Sequence, residues 1–235
     1  MGGGFLLKIL KMKLFQETAC YKKPFAFKVA ETYPLPPYST VIGMFHKIIG
    51  AKPGEYYPMN ISIQGDYESL NLNYIRKIKF ATEQKKREYK RKYNIDIDAT
   101  TSPLYSQFLF NVNLIIHMQA EDETVEKIYN NVISGKESFT LGRNEDLVRV
   151  DEIKIIDKPK EVRDKFINNH NAYIPVKYTD EYVNGINYRL NSIYTIKNEL
   201  RNWEKVDVKY IEKHTNESIL ETLQDEDGDY IFWYK

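Results

Sequence analysis

Residues 104–119, with the sequence LYSQFLFNVNLIIHMQ, constrain the fold more than any other stretch of this chain. Their apolar residues recur at every second position, which predicts a long β-strand with one apolar face. The other face is more polar and carries His117. A strand of this kind needs neighbouring strands and a covering layer. We therefore expect the apolar face to lie on a core and the polar face to remain open. The residues on the apolar face are Leu104, Phe108, Phe110, Val112, Leu114, Ile116 and Met118.

The elements predicted around this strand suggest a known arrangement. Alternation predicts strands at 5–14, 60–67 and 70–80, and a Gly-Arg turn separates two further strands within 138–156. Apolar residues at three- and four-residue spacing predict helices at 39–49 and 122–134. This order is that of an α+β, ferredoxin-like βαββαβ domain, which is also the layout of the RNA recognition fold. We place this domain at 1–160, followed by a small, mostly-β appendage at 161–235.

The charge of the chain is strongly segregated. The 235 residues carry a net charge of only +1, and 42% of them are hydrophobic, which is typical of a folded globular protein. Between Arg76 and Lys92, however, nine basic residues face two acidic ones, whereas 217–229 contains six acidic residues and no basic one. The segment at about 80–103 has no apolar stripe, so we predict a projecting arm or mobile loop. It is either a solvated charge run or a surface that neutralises nucleic-acid phosphates, and Tyr89 and Tyr93 among the charges favour the second.

A proline-rich segment leads into the first predicted helix. Residues 33–37, YPLPP, stiffen the entry, and Ser39 or Thr40 is a natural N-cap. The free N–H groups at a helix start attract phosphate. A phosphate-binding helix start and a well-capped core helix both remain open.

Motifs for several kinds of chemistry are absent from the sequence. It has no HExxH, no paired cysteines, no EF-hand loop, no Walker A motif and no GxGxxG. We therefore expect no metal and no cofactor. The single cysteine, Cys20, suits the reducing cytoplasm. No apolar run reaches the length of about 20 residues that a membrane span needs, so we expect no membrane association.

Two residues invite a chemical hypothesis of their own. His117 could serve metal-independent RNA cleavage as an acid or base, although a structural role or a simple RNA contact is favoured. In the turn LGRNEDL, Gly142 permits a tight bend, and Arg143 offers a planar fork for a phosphate or a base edge. Glu145 and Asp146 could equally hold Arg143 in a local ion pair.

Two stretches together resemble a known family. The segment YPLPPYSTVIGMFHKIIG (33–50) and the segment FTLGRNEDLVRVDEIKI (139–155) are similar to two signatures of the CRISPR-associated protein 5 family, in the expected order. The resemblance covers residues 5–156 well and the last third loosely. The residues of the two motifs are most similar to those of the I-B subtype of type I systems.

The resemblance implies a fold, a function and a set of partners. It implies a repeat-associated RNA-binding fold with an inserted β-hairpin, the thumb, at 80–103. The protein would cap the 5′ handle of the CRISPR RNA (crRNA) in a cytoplasmic surveillance complex for antiviral defence. It would contact the backbone subunit and the large subunit, and target DNA only indirectly. Relatives in one subtype cleave precursor RNA with a tyrosine, a lysine and a histidine, but that trio has no residue-by-residue match here.

We therefore expect a non-catalytic crRNA-binding subunit. The alternatives are a metal-independent endoribonuclease using His117, and mainly a protein–protein adaptor that docks through the acidic tail and the appendage. The residues predicted to contact RNA are Lys22, Lys23, Tyr38, Ser39, Thr40, Arg76, Lys77, Lys79, Lys85, Lys86, Arg87, Arg91, Gly142, Arg143 and Asn144.

Overall fold

The computed structural model of the protein describes residues 8–26, 29–167, 169–179 and 183–235, and the side chains of 164–167 and 216–220 are outside that description. The first residues of the strand predicted at 5–14, Leu6 among them, lie outside the described residues. The helices are α1 (Tyr38–Ile49), α2 (Glu83–Tyr93) and α3 (Asp122–Ile133), with a 3₁₀ turn at Val176–Tyr178. The strands are β1 (Ile9–Ala19), β2 (Val29–Ala30), β3 (Met59–Asp66), β4 (Ser69–Phe80), β5 (Ala99–Ala120), β6 (Phe139–Thr140), β7 (Leu147–Ile156), β8 (Lys160–Ile167), β9 (Asn171–Pro175), β10 (Ile186–Lys197), β11 (Leu200–Ile211), β12 (Asn216–Gln224) and β13 (Tyr230–Ile231).

A large, mainly antiparallel sheet forms the centre of the molecule. Its strands follow the order β10-β11-β9-β3-β5-β1-β7-β6, and β2 and β4 also pair with β5. The 22-residue β5 is the long strand predicted from residues 104–119, and it pairs antiparallel with β1, β3 and β4. The predicted α+β class is confirmed: helices pack on a large antiparallel sheet.

Helices α1 and α3 cover one face of this sheet. The apolar stripe of α1, with Val41, Phe45 and Ile48, packs into the main core together with Leu114 and Ile116 of β5. Burying these side chains stabilises the fold by roughly 1.5–3 kcal/mol for each of them. In the described residues, no helix has the length and apolarity to cross a membrane.

The start of α1 differs from the expectation. The N-cap is Pro37, with extended backbone angles and no side-chain capping bond, so neither Ser39 nor Thr40 is the cap. Proline fits this position because its fixed φ suits the entry to a helix. The predicted end is confirmed: Gly50 closes the helix in the left-handed region at φ 76°.

The polar face of β5 is covered around His117. Lys11 and Ser62, on the strands either side of β5, lie level with His117, and all three side chains are buried. The chain from Asp225 to Tyr234 runs over this face, and the Phe232 N–H donates a hydrogen bond to Ser62 Oγ at 2.9 Å. The expectation of an exposed polar face is therefore wrong around His117, which the C-terminal segment covers, whereas Asn111 and Asn113 are exposed as expected.

The basic arm is an ordered, projecting structure. Strands β4 and β5 extend as a two-stranded ribbon, paired from Ser69 with Phe110 to Phe80 with Ala99. Helix α2 lies at the tip, where Thr82 caps its start and Asn94, at φ 53°, ends it. The segment 80–103 is thus a helix flanked by strand ends and not a mobile loop. We call the ribbon beyond Ser69 together with α2 the thumb.

The C-terminal third joins the central sheet. Strand β9 pairs with β3 and β11, and the Tyr173, Tyr210 and Tyr234 side chains belong to the main core. Strands β8, β12 and β13 form a small separate sheet. The division of the chain at residue 160 stays a prediction, although strands from both sides of it share one sheet.

Candidate nucleic-acid interface

Residues 20–33 connect the two stretches that the sequence analysis singled out. The Tyr33 N–H, in the proline-rich lead-in, donates to the Tyr21 carbonyl at 2.9 Å. The Tyr21 hydroxyl donates to Gln16 Oε1 at 2.6 Å, and Gln16 Nε2 in turn donates to the Leu141 carbonyl at 2.9 Å. The lead-in to α1 and the Gly-Arg turn are therefore held against the same segment, although they are far apart in sequence.

The Gly-Arg turn is organised by the buried carboxylate of Asp146. This side chain has no exposed surface and accepts hydrogen bonds from the N–H groups of Cys20 and Arg143, at 3.1 and 2.8 Å. Gly142 lies at φ 110°, and a Cβ there would come within 2.8 Å of Asp146 Oδ2. Glycine is therefore required at this position for both its backbone angle and the close approach.

Arg143 is held in place by its neighbours. Its guanidinium donates to Asp146 Oδ1 at 2.5 Å, pairs with Glu145 at 3.1 Å and lies 4.3 Å from the ring centre of Phe108. Burial disfavours its charge, but the Asp146 carboxylate outweighs burial, so the pKa of Arg143 lies above its ordinary value. Arg143 is therefore in a local ion pair, as one of the two predictions for this turn had it. Its side chain is still a quarter exposed, so it can also contact a phosphate or a base edge. Gly142 and Asn144 are exposed beside it.

An open cleft of about 320 Å³ lies at the start of α1. We call it the helix cleft. It brings together three of the residues predicted to contact RNA, Lys22, Ser39 and Thr40. The sequence analysis missed the opposite wall, which is formed by Asn191 and Trp203 of the β10–β11 hairpin. No local signal connects that hairpin with residues 37–40, since only the tertiary structure brings them together.

Two other predicted residues near the helix cleft behave differently. Tyr38 is fully buried, stacks on Tyr234 with ring centres 4.8 Å apart, and has a pKa raised by burial. Its ring cannot reach RNA, so the prediction of Tyr38 as an RNA contact does not fit the structure. Lys23 is half-buried, pairs with Glu31 at 3.3 Å and lies 5.9 Å from the ring centre of Tyr33.

The thumb presents the remaining predicted basic residues. Arg76, Lys77 and Lys79 are exposed on the ribbon, and Arg87 and Arg91 are exposed on α2. Within the described residues neither of these two α2 arginines has an ion-pair partner. The half-buried lysines of α2 are engaged at the base of the helix, where Lys85 Nζ lies 3.5 Å from Thr100 Oγ1 and Lys86 Nζ lies 3.3 Å from Glu83.

The thumb also exposes rings and aliphatic side chains. Tyr74 is 56% exposed, Phe80 is 87% exposed, and Tyr93 is 52% exposed. Aromatic rings interleaved with cations are the combination that binds single-stranded nucleic acid.

His117 lies in a different, internal cluster. The Lys11 ammonium is enclosed by the carboxylates of Asp225, Asp227 and Asp229, at 2.5, 2.6 and 2.6 Å. Asp225 also lies 3.0 Å from His117 Nε2. Sequence reasoning missed this cluster, although the spacing of acids in DEDGD (225–229) resembles that of a cation-binding loop. Those three carboxylates could hold a metal ion, but the Lys11 ammonium already supplies their cation.

The cluster changes the titration of its members. Burial lowers the pKa of His117, and this outweighs the attraction of Asp225. For Lys11 the balance is reversed: burial lowers its pKa, but the three aspartates raise it above the ordinary value. A fully buried, neutral histidine is poorly placed to meet an RNA backbone.

Comparisons with known proteins identify a family for this chain and solved structures with a similar fold. A family model described as CRISPR-associated protein (Cas_Cas5) matches residues 9–201. A chain titled as part of a CRISPR RNA-guided surveillance complex has a similar fold, with a TM-score of 0.60 and 13% identity over 89% of this chain and 91% of that one. A CRISPR protein from Archaeoglobus fulgidus gives 0.51 and 11% identity, over 96% and 98% of the two chains. No curated protein matches the sequence.

Proposed function

Because the chain belongs to the CRISPR-associated protein 5 family, we propose that it is a non-catalytic subunit that binds the 5′ handle of crRNA in a type I effector complex. A role in a CRISPR effector complex follows from the family. The binding of the handle, the absence of catalysis and a subtype near I-B are our proposal.

The arrangement of the strands supports an RNA-binding fold. Strands β7-β1-β5-β3 are neighbours in that order and pair antiparallel, with α1 between β1 and β3 and α3 between β5 and β7. We infer that these elements form a ferredoxin-like βαββαβ unit, into which the thumb is inserted between β3 and the core part of β5.

The observation that carries the proposal is the convergence of separate basic elements around residues 20–33. Lys22 lies in the helix cleft, and Asp146 of the Gly-Arg turn accepts a hydrogen bond from the Cys20 N–H at 3.1 Å. At the base of the thumb, Thr32 N–H donates to Gln107 Oε1 at 3.1 Å. A single RNA strand could therefore meet all three elements at their junction.

The thumb supplies the electrostatic part of this binding. Cations that neutralise phosphates release counterions, so affinity from this source falls as the salt concentration rises. The thumb helix contributes nothing to the core, since none of its residues is buried. Because this exposed cationic helix has no packing role, binding of a polyanion such as RNA is the function that its charge favours.

Binding without cleavage is favoured by the state of His117. A general acid or base must come within hydrogen-bond reach of the reacting RNA oxygens. The His117 ring is fully buried, and its Nε2 faces Asp225. As partners we propose crRNA, the backbone subunit and the large subunit, in the cytoplasm, with target DNA contacted only indirectly.

The adaptor alternative receives less support from the acidic tail. Asp225, Asp227 and Asp229 face Lys11, and Phe232 and Tyr234 are buried. Asp225 and Asp229 are also buried, and the exposed Asp227 is paired with Lys11 and Lys154, so these side chains offer little to a neighbouring subunit.

The test is binding of 5′-labelled repeat RNA to the purified protein, with EDTA or with magnesium, on native and denaturing gels. We expect a salt-sensitive shift with intact RNA under both conditions. Discrete cleavage in EDTA would overturn the non-catalytic assignment. Absence of a shift at low salt would contradict RNA binding by this subunit.

Reversing the charge of the three exposed arginines Arg76, Arg87 and Arg91 to glutamate tests the thumb. We expect affinity to fall at least about tenfold and the slope of log affinity against log salt to decrease by about 2, because about 0.7 is lost for each phosphate contact with a single strand. The matched control reverses Lys47, Lys52 and Lys136, which are exposed near the other end of α1. Equal losses in the two variants would show that net charge alone, and not the thumb, governs binding.

A further inference from the structure

The β10–β11 hairpin extends beyond its support in the sheet. Only residues 208–211 of β11 pair with β9, whereas β10 and β11 stay paired as far as Lys197 and Leu200. The two turn residues, Asn198 and Glu199, have φ of 50° and 61°, as in the tight turns that close β-hairpins. The distal half of the hairpin is therefore a second projecting finger, separate from the thumb.

A β-bulge sorts the side chains of this finger. The pairing passes from Asn191 opposite Lys205 to Tyr194 opposite Trp203, with an irregularity between them. Directly paired residues share a face of a hairpin, and a bulge turns the following residues to the other side. One face of the distal hairpin therefore carries six residues, with two aromatic rings, two cations and no acid: Asn191, Tyr194, Ile196, Arg201, Trp203 and Lys205.

Within this face the aromatic and basic groups already contact one another. The rings of Tyr194 and Trp203 have centres 4.9 Å apart, and the Arg201 guanidinium lies 4.7 Å from the centre of Tyr194. Tyr194 remains 42% exposed, and Trp203 is partly exposed. Such a surface stacks unpaired bases without requiring a particular sequence.

The same face closes the helix cleft. Trp203 and Asn191 form one wall, and Lys22, Ser39 and Thr40 contribute to the other. A volume of about 320 Å³ lies at the small end of ligand pockets, which suits one nucleotide and not a duplex. The aromatic wall suits a base, and the opposite wall offers an ammonium and two hydroxyls for a phosphate.

Asn191 adds a directional group. Lys205 Nζ donates a hydrogen bond to Asn191 Oδ1, and an ammonium can only donate. The amide oxygen therefore lies toward Lys205, and the amide N–H groups of this cleft-lining residue are the donors that it can offer to a ligand. They would suit a base edge that presents an acceptor.

We propose that the helix cleft binds one unpaired nucleotide of the RNA, with its base stacked on Trp203 and its phosphate held by Lys22 and Thr40. The proposal rests on the proposed RNA-binding function and adds a contact that the thumb does not supply. Trp203 also lies past the end of the family-model match, which stops at residue 201.

Trp203 provides its own optical signal. The chain has two tryptophans, and the other one, Trp233, is only 8% exposed. Titration with the single-stranded repeat RNA should therefore quench the fluorescence of Trp203. The Trp203→Phe variant should lose this quenching while keeping most of the affinity, because phenylalanine still offers a ring.

An abasic scan tests the stacked base directly. The repeat RNA is prepared with one base removed at each position in turn, and the affinity of each RNA is measured. We expect one position to cost about tenfold in the wild-type protein, as loss of one stacked base does, and to cost nothing in Trp203→Ala. The matched control, Leu200→Ala, changes a 73% exposed residue on the other face of the hairpin and should keep the wild-type profile.

The outcomes separate this inference from the function on which it rests. If Trp203→Ala binds RNA with the wild-type affinity and abasic profile, the inference fails while the thumb-based function stands. If that variant loses only its association with partner subunits, the finger docks protein and the inference also fails. If the wild-type protein shifts no RNA, both proposals fail.

Discussion

Basic side chains have opposite environments in the thumb and beside the C-terminal loop at 225–229. In the thumb, the charges of Arg87 and Arg91 stand in solvent and support no core. Beside the loop, the ammonium of Lys11 on β1 is fully buried among three carboxylates that the loop supplies. The charges of the thumb arginines are therefore available to an external polyanion. The charge of Lys11 instead stabilises the fold by pairing with the aspartates.

This contrast shows why the net charge of +1 says little about function. Three of the six acids in the acidic segment pair internally with Lys11, and Lys154 Nζ also lies 2.6 Å from one of them, Asp227. These lysines, above all by hydrogen bonding, lower the pKa of Asp227 to about 2. The basic segment of the thumb has only partial internal compensation, so the local potential there remains positive.

Replacing Lys11 with methionine removes the cation of the buried cluster and should give the largest loss of stability. The variant leaves buried aspartates without their cation, which typically costs 3–5 kcal/mol, so we expect the free energy of unfolding to fall by about that much. Urea unfolding followed by circular dichroism measures the change. The matched control, Lys8→Met, removes an exposed pair with Glu126 and should leave the stability nearly unchanged. A loss below about 1 kcal/mol for Lys11→Met would show that the cluster is not a structural tie.

The pH dependence of the free energy of unfolding should reveal the contribution of the buried His117. Its folded pKa is lowered by burial, so the unfolded chain binds the proton more readily. The contribution is therefore present above the unfolded pKa of about 6.5 and is lost as the pH falls below it, by up to about 2 kcal/mol at about pH 5. In His117→Gln, whose amide can still donate to Asp225, this slope should be absent.

The control for this measurement is His214→Gln, which changes an exposed histidine between β11 and β12. Urea midpoints measured between about pH 5 and 8 compare the three proteins. If His117→Gln and the wild type keep the same slope, His117 does not hold its neutral form in the folded protein.

Replacing Thr82 with alanine tests whether the thumb helix α2 unfolds independently of the core. Thr82 Oγ1 accepts a hydrogen bond from the Lys85 N–H at 3.4 Å, and a lost N-cap costs about 1 kcal/mol. Because α2 has no buried residue, the loss should appear as faster amide exchange in 83–93, with no change in global unfolding. A drop in global stability would mean that the thumb helix supports the core after all.

Much of the framework was readable from local patterns. The helices at 39–49 and 122–134 and the strands at 60–67 and 70–80 lie within a few residues of α1, α3, β3 and β4, because an apolar stripe has one period in a helix and another in a strand. The helix at 83–93 was missed because it has no apolar stripe. Its local signals were the capping residues Thr82 and Asn94 and the high helix propensity of its Glu, Gln, Lys and Arg residues.

Local patterns in the sequence were enough to identify the central elements, the concentration of basic residues at 76–92 and the two stretches that mark the family. Each of these depends on residues close together along the chain. The folded arrangement was needed to show that His117 is buried, that Lys11 lies among acids more than two hundred residues away, and that Trp203 faces the start of α1. The physical reason is that burial and pairing depend on which distant segments cover a surface, and neither periodicity nor local charge records that.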